Sequence, residues 1–220
     1  INKFLVSKKS FPLILKPSDG RGSRGVIYLD ESVDLEWAWN YVFDISSNKE
    51  LMLEEYIIGD QLSVEGLFIN NKFHSIAFAD RNYDTLSLTK PHIVENGGVI
   101  PSKYDDDTLE QISSLIENAS KSLGITFGSI KADIVQSNNG PMIIELAARL
   151  SGNYLASHHI PIAYGIDIVS AVIKLSLGIE LDPSLVTPKH KNYLAARYFF
   201  PPSGIIKNID IEDALNASGV

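Results

Sequence analysis

Asp133 in "IKADIV" and Glu145 in "PMIIELAARL" stand twelve positions apart, each inside an apolar stretch where an unpaired charge is costly. If the two stretches are hairpin partners, the carboxylates face one another across it. Two oxygen ligands so placed suit a hard divalent cation, Mg2+ or Mn2+, which completes its shell with water and substrate phosphates. Arg149 follows closely enough to balance phosphate charge. The competing reading is a buried ion pair, for instance Arg149 with Glu145.

A second stretch, "KPSDGRGSRG" from Lys16 to Gly25, combines a loose backbone with fixed positive charge directly after an apolar run. Glycines let backbone N–H groups approach an anion closely, and Lys16 and the two arginines add charge, so this tip can cover a polyphosphate. It lacks the G-x-x-x-x-G-K-[ST] order of a P-loop and no helix start follows it, which argues against a Walker site. An ordinary surface turn is the alternative. A third stretch, "LMLEEYIIGDQLSVEG", ends a strand on Glu54, Glu55, Tyr56 and Ile57 and turns at Gly59. Such a segment can offer backbone N–H and C=O groups to an adenine edge, with a carboxylate taking the amino group and a later polar residue reaching ribose. Taken singly, it also reads as an acidic strand end on a wetted surface.

These residues need elements to hold them. Phe11 to Lys16 reads as a buried strand and Val26 to Leu29 as its return partner around the glycine-rich turn. Asp30 and Ser32 are expected to cap a helix through Leu35, Trp37 and Trp39 to about Phe43, with the tryptophans packing. Leu51 to Tyr56 and Gln61 to Ile69 are strand candidates, and Asn70-Asn71 suits a tight hairpin turn. Leu109, Ile112, Leu115, Ile116, Ala119 and Leu123 mark one helix face, which Gly124 would terminate. Phe127 to Gln136 and Pro141 to Ala147 read as a hairpin whose "SNNG" turn residues suit positive φ. Helices follow from Leu155 and from Asp167 to Leu177, and Tyr193 to Phe200 is a last strand. Hairpins and helices alternate without regular β-α repetition, so the expected class is α+β rather than a doubly wound parallel sheet.

Composition narrows the partners. The chain has 220 residues, 45% of them apolar, and a formal net charge of −8, which argues against a general nucleic-acid binder. Without cysteine there are no disulfides, thiolate metal sites or cysteine nucleophiles. No apolar run is long enough to span a bilayer, and a reducing cytoplasmic setting is compatible. There is no Gly-x-Ser-x-Gly elbow, and His158 and His159 lack a metal-binding partner at helical spacing.

The order "LILKPSDGRGSRGV", "LEEYIIGDQLSVEG" and "KADIV…MIIELAARLSGN" resembles the ATP-grasp superfamily, which includes carboxylate–amine ligases, biotin carboxylases and the carbamoyl-phosphate synthetase large subunit. The likeness runs from about Phe11 to Phe200. It implies two lobes of antiparallel sheet and helices around a nucleotide cleft: residues 1–53 as part of the first lobe, 54–200 as the second, and 201–220 as the start of a truncated segment. It implies further that Lys16 contacts α- and β-phosphates, and that Ser18, Gly20, Gly22, Ser23, Arg24 and Gly25 belong to a loop closing on the triphosphate. Glu54, Glu55, Tyr56 and Ile57 resemble the adenine hinge, and Gln61 stands where a ribose-binding glutamate is common. Asp133 and Glu145 match paired metal ligands, and Arg149 matches an arginine near the transferred phosphate.

Departures from the pattern are informative. Ala147 stands where many members carry a third metal ligand, asparagine, and His92 stands where a lysine of biotin-carboxylase chemistry is expected. The preceding domain and its phosphate-binding lysine are expected in a longer parent enzyme. The function implied is an ATP-dependent carboxylate–amine ligase working through an acylphosphate. Its partners would be a small-molecule carboxylate and an amine, with no nucleic acid or membrane, and homodimerisation is left open. Arg81, His92 and Asn153 are candidate substrate contacts. The alternatives are bicarbonate phosphorylation and a nucleotide-binding module without chemistry.

Overall fold

A computed structural model describes residues 11–212 and Asn216. The expected strand at the glycine-rich turn forms as β1 (Leu13–Pro17), pairing antiparallel with β2 (Ile27–Leu29) and, on its other edge, with β3 (Leu51–Glu55). The resulting sheet has the order β2-β1-β3. Leu13, Leu15, Ile27 and Leu29 bury their side chains against Ala38 and Val42 of helix α1 (Leu35–Ile45). β3 carries this sheet to Glu55, past the lobe border expected at residue 53.

Helix α1 starts differently from expectation. Its N-cap is Asp34, whose carboxylate accepts from the N–H groups of Glu36 and Trp37 at 2.9 and 3.1 Å. Asp30 and Ser32 satisfy each other in the preceding turn instead, with Ser32 Oγ donating to Asp30 at 2.6 Å. A cap has to lie within three residues of the N–H groups it serves, and Asp30 sits one turn too early. Trp37 and Trp39 are not core residues: they stay 40% and 38% exposed, because Ala38 and Val42 occupy the inward face.

The second sheet has six antiparallel strands in the order β8-β7-β4-β5-β6-β9. They are β4 (Gly59–Ile69), β5 (Lys72–Asn82), β6 (Gly97–Ile100), β7 (Gly128–Ser137), β8 (Gly140–Ala147) and β9 (Leu194–Arg197). Asn70 and Asn71 turn β4 into β5 with φ of 51° and 62°, the left-handed pair such a hairpin needs. In "SNNG" that duty falls on Gly140 alone, at φ 102°. The stretch expected to be irregular after Asp80 holds the end of β5, a single helical turn α2 (Leu86–Thr89) and β6.

Helix α3 (Asp106–Ser122) covers one face of this sheet. Asp105 caps it by accepting from the Thr108 N–H at 2.9 Å, and Gly124 ends it at φ 76°. Ile112 and Ile116 pack on Leu62, Val64, Ile130, Ala132 and Ile134. Leu123, expected on that face, is 67% exposed because it is already the C-cap residue. Against the other face lie a π-helical turn (Leu155–His159), α4 (Ile160–Tyr164) and α5 (Ile168–Ser176), which bury Leu67, Ile69, Ile76 and Ile100. They cover only part of it, and the remainder carries polar side chains. No helix among the described residues is long and apolar enough to cross a membrane. The segment expected to begin at residue 201 lies partly outside the described residues.

Candidate functional site

Strand pleating decides which side chains face the uncovered part of the sheet. Along β4 and β7, Leu62, Val64, Ile130, Ala132 and Ile134 go beneath α3, so the intervening Ser63, Glu65, Lys131 and Asp133 point the other way. The register then groups them. Asp133 is the cross-strand partner of Glu145 on β8 and of Ser63 on β4, and Lys131 is the partner of Ala147 and of Glu65. The register running out from the turn would set Ile144 opposite Asp133; a bulge between Asp133 and Ile134 shifts it by one residue and brings the two acidic residues singled out from the sequence side by side.

Their charges are already matched. Lys131 Nζ lies 2.5 Å from Asp133 Oδ2 and 3.2 Å from Glu145 Oε1. Arg81 on β5 reaches the same Asp133 oxygen at 3.1 Å while its Nε and Nη2 donate to Glu95 at 2.9 and 2.6 Å. Ser63 Oγ donates to Asp133 Oδ1 at 3.1 Å. Arg149 lies 3.4 Å from Glu145, so the ion pair considered as the competing reading is also present. It is the more exposed contact, about half open to solvent on both sides, and is worth little by itself.

Two chambers of about 400 and 380 Å3 meet at this cluster. Gly20, Arg21, Gly22 and Ser23 border both from one side, and Arg81, Asp133 and Glu145 border both from the other. The first-lobe chamber contains the hinge candidates Glu54, Glu55, Tyr56 and Ile57 together with Lys16, Ser18, Arg24 and Gln61. The second contains Arg149, Ser151, Asn153, His159 and Tyr198. Gly22, Ser23 and Gly25 take left-handed φ of 59°, 57° and 75° in the loop between β1 and β2. Asp19 ties that loop's root to the chain beyond α1, accepting from the N–H groups of Ser47 and Asn48 at 2.9 Å each.

Within this frame some predicted residues are occupied by one another. Lys16 and Glu54, both expected on a nucleotide, form an ion pair at 2.6 Å. Asn48 donates to Ser18 Oγ at 2.9 Å, and Asn153 contacts the Tyr198 hydroxyl. Gly25 lines neither chamber: it is buried, and a Cβ there would come within 3.3 Å of Ile45 and Pro17. His92 also lines neither. Its ring packs edge-on against Tyr41 and Trp37 of α1, with centroids 5.5 and 6.2 Å apart, so a polar neighbourhood in sequence did not bring it to the cleft.

The family model for the ATP-grasp domain matches residues 3–153. The chain belongs to the ATP-grasp family. Among its curated relatives, dapdiamide A synthase of Enterobacter agglomerans is 21% identical over 161 residues, covering 69% of this chain and 36% of that protein. The chain spans about a third of the length of the curated relatives it matches. Two solved structures share the ATP-grasp fold. An L-amino acid ligase from Bacillus licheniformis is 22% identical with a TM-score of 0.66 over 84% of this chain and 44% of that one. The biotin carboxylase domain of Hydrogenobacter thermophilus 2-oxoglutarate carboxylase, in complex with MgADP and bicarbonate, is 20% identical with a TM-score of 0.68 over 87% and 42%.

An ATP-grasp cleft implies a divalent cation, and the carboxylate pair fits one: a positive group, the Lys131 ammonium, already bridges both side chains. Among the described residues no three His, Asp or Glu side chains converge, and Ala147 adds no ligand, so water and phosphate oxygens would complete the shell. Besides the chamber-lining Ser63, Glu95, Ser151, His159 and Tyr198, two charged residues at the centre of the cleft went unread in the sequence. Lys131 was legible, since it stands two positions before Asp133 and strand residues i and i+2 share a face. Glu65 carried the same signal in "QLSVEG". It is fully buried, its Oε2 accepts from the Ser151 N–H at 2.9 Å, and its Oε1 has no partner. Burial pushes its carboxyl up to about 7, with the Ser151 bonds and the positive charges of Lys131 and Arg149 opposing.

Proposed function

We propose that this chain is the nucleotide-binding part of an ATP-dependent carboxylate–amine ligase. The reading is carried by one observation: the two chambers share a border made of the glycine-rich loop on one side and the Asp133–Glu145 pair on the other. A γ-phosphate lying at that border would be in reach of both a nucleotide chamber and an acceptor chamber. In this reading the two lobes, expected as residues 1–53 and 54–200, meet just after β3, between Glu55 and Gly59.

ATP lies along Lys16, Gln61 and the segment Glu54 to Ile57, and Lys16 leaves Glu54 for the phosphates. Glu54 is then free to accept from the adenine amino group. A divalent cation, Mg2+ or Mn2+, when held by Asp133 and Glu145, neutralises charge on the phosphate oxygens. Arg149 draws an acceptor carboxylate toward the border from the second chamber and balances charge as that carboxylate takes the γ-phosphoryl group. The P–O bond to ADP breaks as the new P–O bond forms, which yields an acylphosphate and ADP. An amine then displaces phosphate. Closure of the loop from Ser18 to Arg24 excludes water that would otherwise hydrolyse the acylphosphate. Ser151, Asn153, His159 and Tyr198 line the acceptor side and would set its selectivity. A structural relative named as an L-amino acid ligase supports this class of substrate.

The test is ADP release by the full-length protein with ATP, Mg2+ and panels of carboxylates and amines. Turnover is expected to require one member of each panel. ADP release driven by bicarbonate alone would replace this reading with bicarbonate phosphorylation, and tight nucleotide binding without turnover on any pair would leave a binding module.

A further inference from the structure

The carboxylate pair expected to receive a divalent cation already holds a cation built into the same strand. We propose that the Lys131 ammonium is a resident counter-ion of Asp133 and Glu145 that keeps divalent metal out of the cleft until nucleotide phosphate arrives. The inference rests on the nucleotide-and-metal reading above and adds an order of binding to it.

Geometry carries the argument. Lys131 stands on the same face of β7 as Asp133, and its Nζ touches one oxygen of each acid, at 2.5 and 3.2 Å. Its side chain is only 11% exposed and that of Asp133 13%, so the contact is screened far less than a surface pair. Ala147, its cross-strand partner on β8, presents one methyl group where a longer side chain would compete for the same space. Arg81 places a second positive charge on the same Asp133 oxygen at 3.1 Å and is itself anchored on Glu95.

A divalent ion entering alone would meet an ammonium and a guanidinium at hydrogen-bond range of the ligands it needs, with no added negative charge to offset them. Removing one partner of a buried pair is unfavourable unless a new one is supplied. Nucleotide phosphates supply it: the chamber holding Lys16 and the hinge opens onto the same two carboxylates, so an anion arriving there can take over the ammonium as the metal takes the acids. Metal and nucleotide thereby favour each other's binding, and by linkage the effect is reciprocal.

The experiment is Mn2+ titration of the full-length protein by equilibrium dialysis, with and without a non-hydrolysable ATP analogue, protein-bound Mn2+ being the excess over a protein-free compartment that holds the same free analogue. Wild-type protein without nucleotide is expected to bind no Mn2+ in the cleft below about 1 mM, the range of weak oxygen sites. With the analogue it binds. Lys131→Met and Lys131→Gln are expected to bind Mn2+ without nucleotide at least about 10-fold more tightly than wild type, and adding Asp133→Asn to remove the gain. Equal nucleotide-free affinity in wild type and the Lys131 variants would overturn the proposal. If both variants prove unfolded by circular dichroism, the wild-type arm decides it: tight Mn2+ binding without nucleotide overturns it, and binding only with the analogue supports it. Failure of wild type to bind the Mn2+–analogue complex at all would instead sink the functional reading.

Discussion

Strands β4 and β7 have two faces built from alternate residues of the same few positions, and they do opposite work. Beneath α3, Leu62, Val64, Ile130, Ala132 and Ile134 are fully or almost fully buried among apolar neighbours. One residue further along each strand, Ser63, Glu65, Lys131 and Asp133 form a polar layer nearly as well shielded, held by ion pairs and hydrogen bonds. The first face stabilises through area removed from water and through close packing. The second gains little stability from its charges, since their desolvation offsets much of their attraction. It is there to hold charge in place, and a backbone made stiff by the first face is what lets it do so.

The comparison can be broken most severely at Asp133. Asp133→Asn keeps the shape and removes the charge, and the full-length protein is expected to lose turnover by roughly 1000-fold, the several kcal/mol that a positioned metal contributes to phosphoryl transfer. Because the change also leaves Lys131 and Arg81 short of a partner, stability should fall by about 3 kcal/mol as well, and activity is compared on the folded protein. A variant that is inactive only because it is unfolded would show the two faces to be inseparable.

On the opposite face, Ile134→Ala should cost about 4 kcal/mol of stability by leaving a cavity against α3. Denaturant melts measure it, and nucleotide affinity of the folded fraction is expected to stay within a few-fold of wild type. A loss of affinity without a loss of stability would contradict the division of labour.

Glu65 sharpens the contrast through pH. Its carboxyl is raised from 4.5 to about 7 by burial. Below about pH 4.5 folded and unfolded chains both hold the proton; between there and pH 7 only the folded chain does, so its stability falls as pH rises. Glu65→Gln removes this dependence, and the variant should gain on wild type by roughly 3 kcal/mol between pH 4.5 and 8, the free energy of such an interval. A constant difference across that range would show the carboxyl to be ordinary. The smallest change is Ser63→Ala, which deletes one hydrogen bond to Asp133. It should cost about 1 kcal/mol of stability and leave turnover within a few-fold.

Much of this was legible along the chain because it depends on neighbours in sequence. The hairpin holding Asp133 and Glu145 was legible from its short turn, but spacing alone would pair Asp133 with Ile144; the bulge between Asp133 and Ile134 is what sets the two acids opposite one another. The glycine-rich loop was legible as a turn from its composition, but not which of its residues are left-handed: these are Gly22, Ser23 and Gly25. What escaped reading was of two kinds. Lys131 was visible in the alternation of "IKADIV" but overlooked beside the more familiar acids. Arg81, considered only as a substrate contact, turned out to hold Asp133, because β5 reaches β7's carboxylate across β4. His92 failed in the opposite sense: its polar surroundings suggested the cleft, whereas the neighbours that matter are the rings of Trp37 and Tyr41 on α1, far away in sequence.

By itself the sequence determined most of the strands and their turns, since pleat and left-handed hairpin turns are set by a few adjacent residues; β6, the cap of α1 and the bulge beside Asp133 were not among them. Only the tertiary structure decided that β4 lies between β5 and β7, that a loop from the other sheet borders the same acids, and that two basic side chains already neutralise them. Those outcomes depend on contacts between distant segments, whose gain lies in shared burial and charge matching that no single stretch of chain contains.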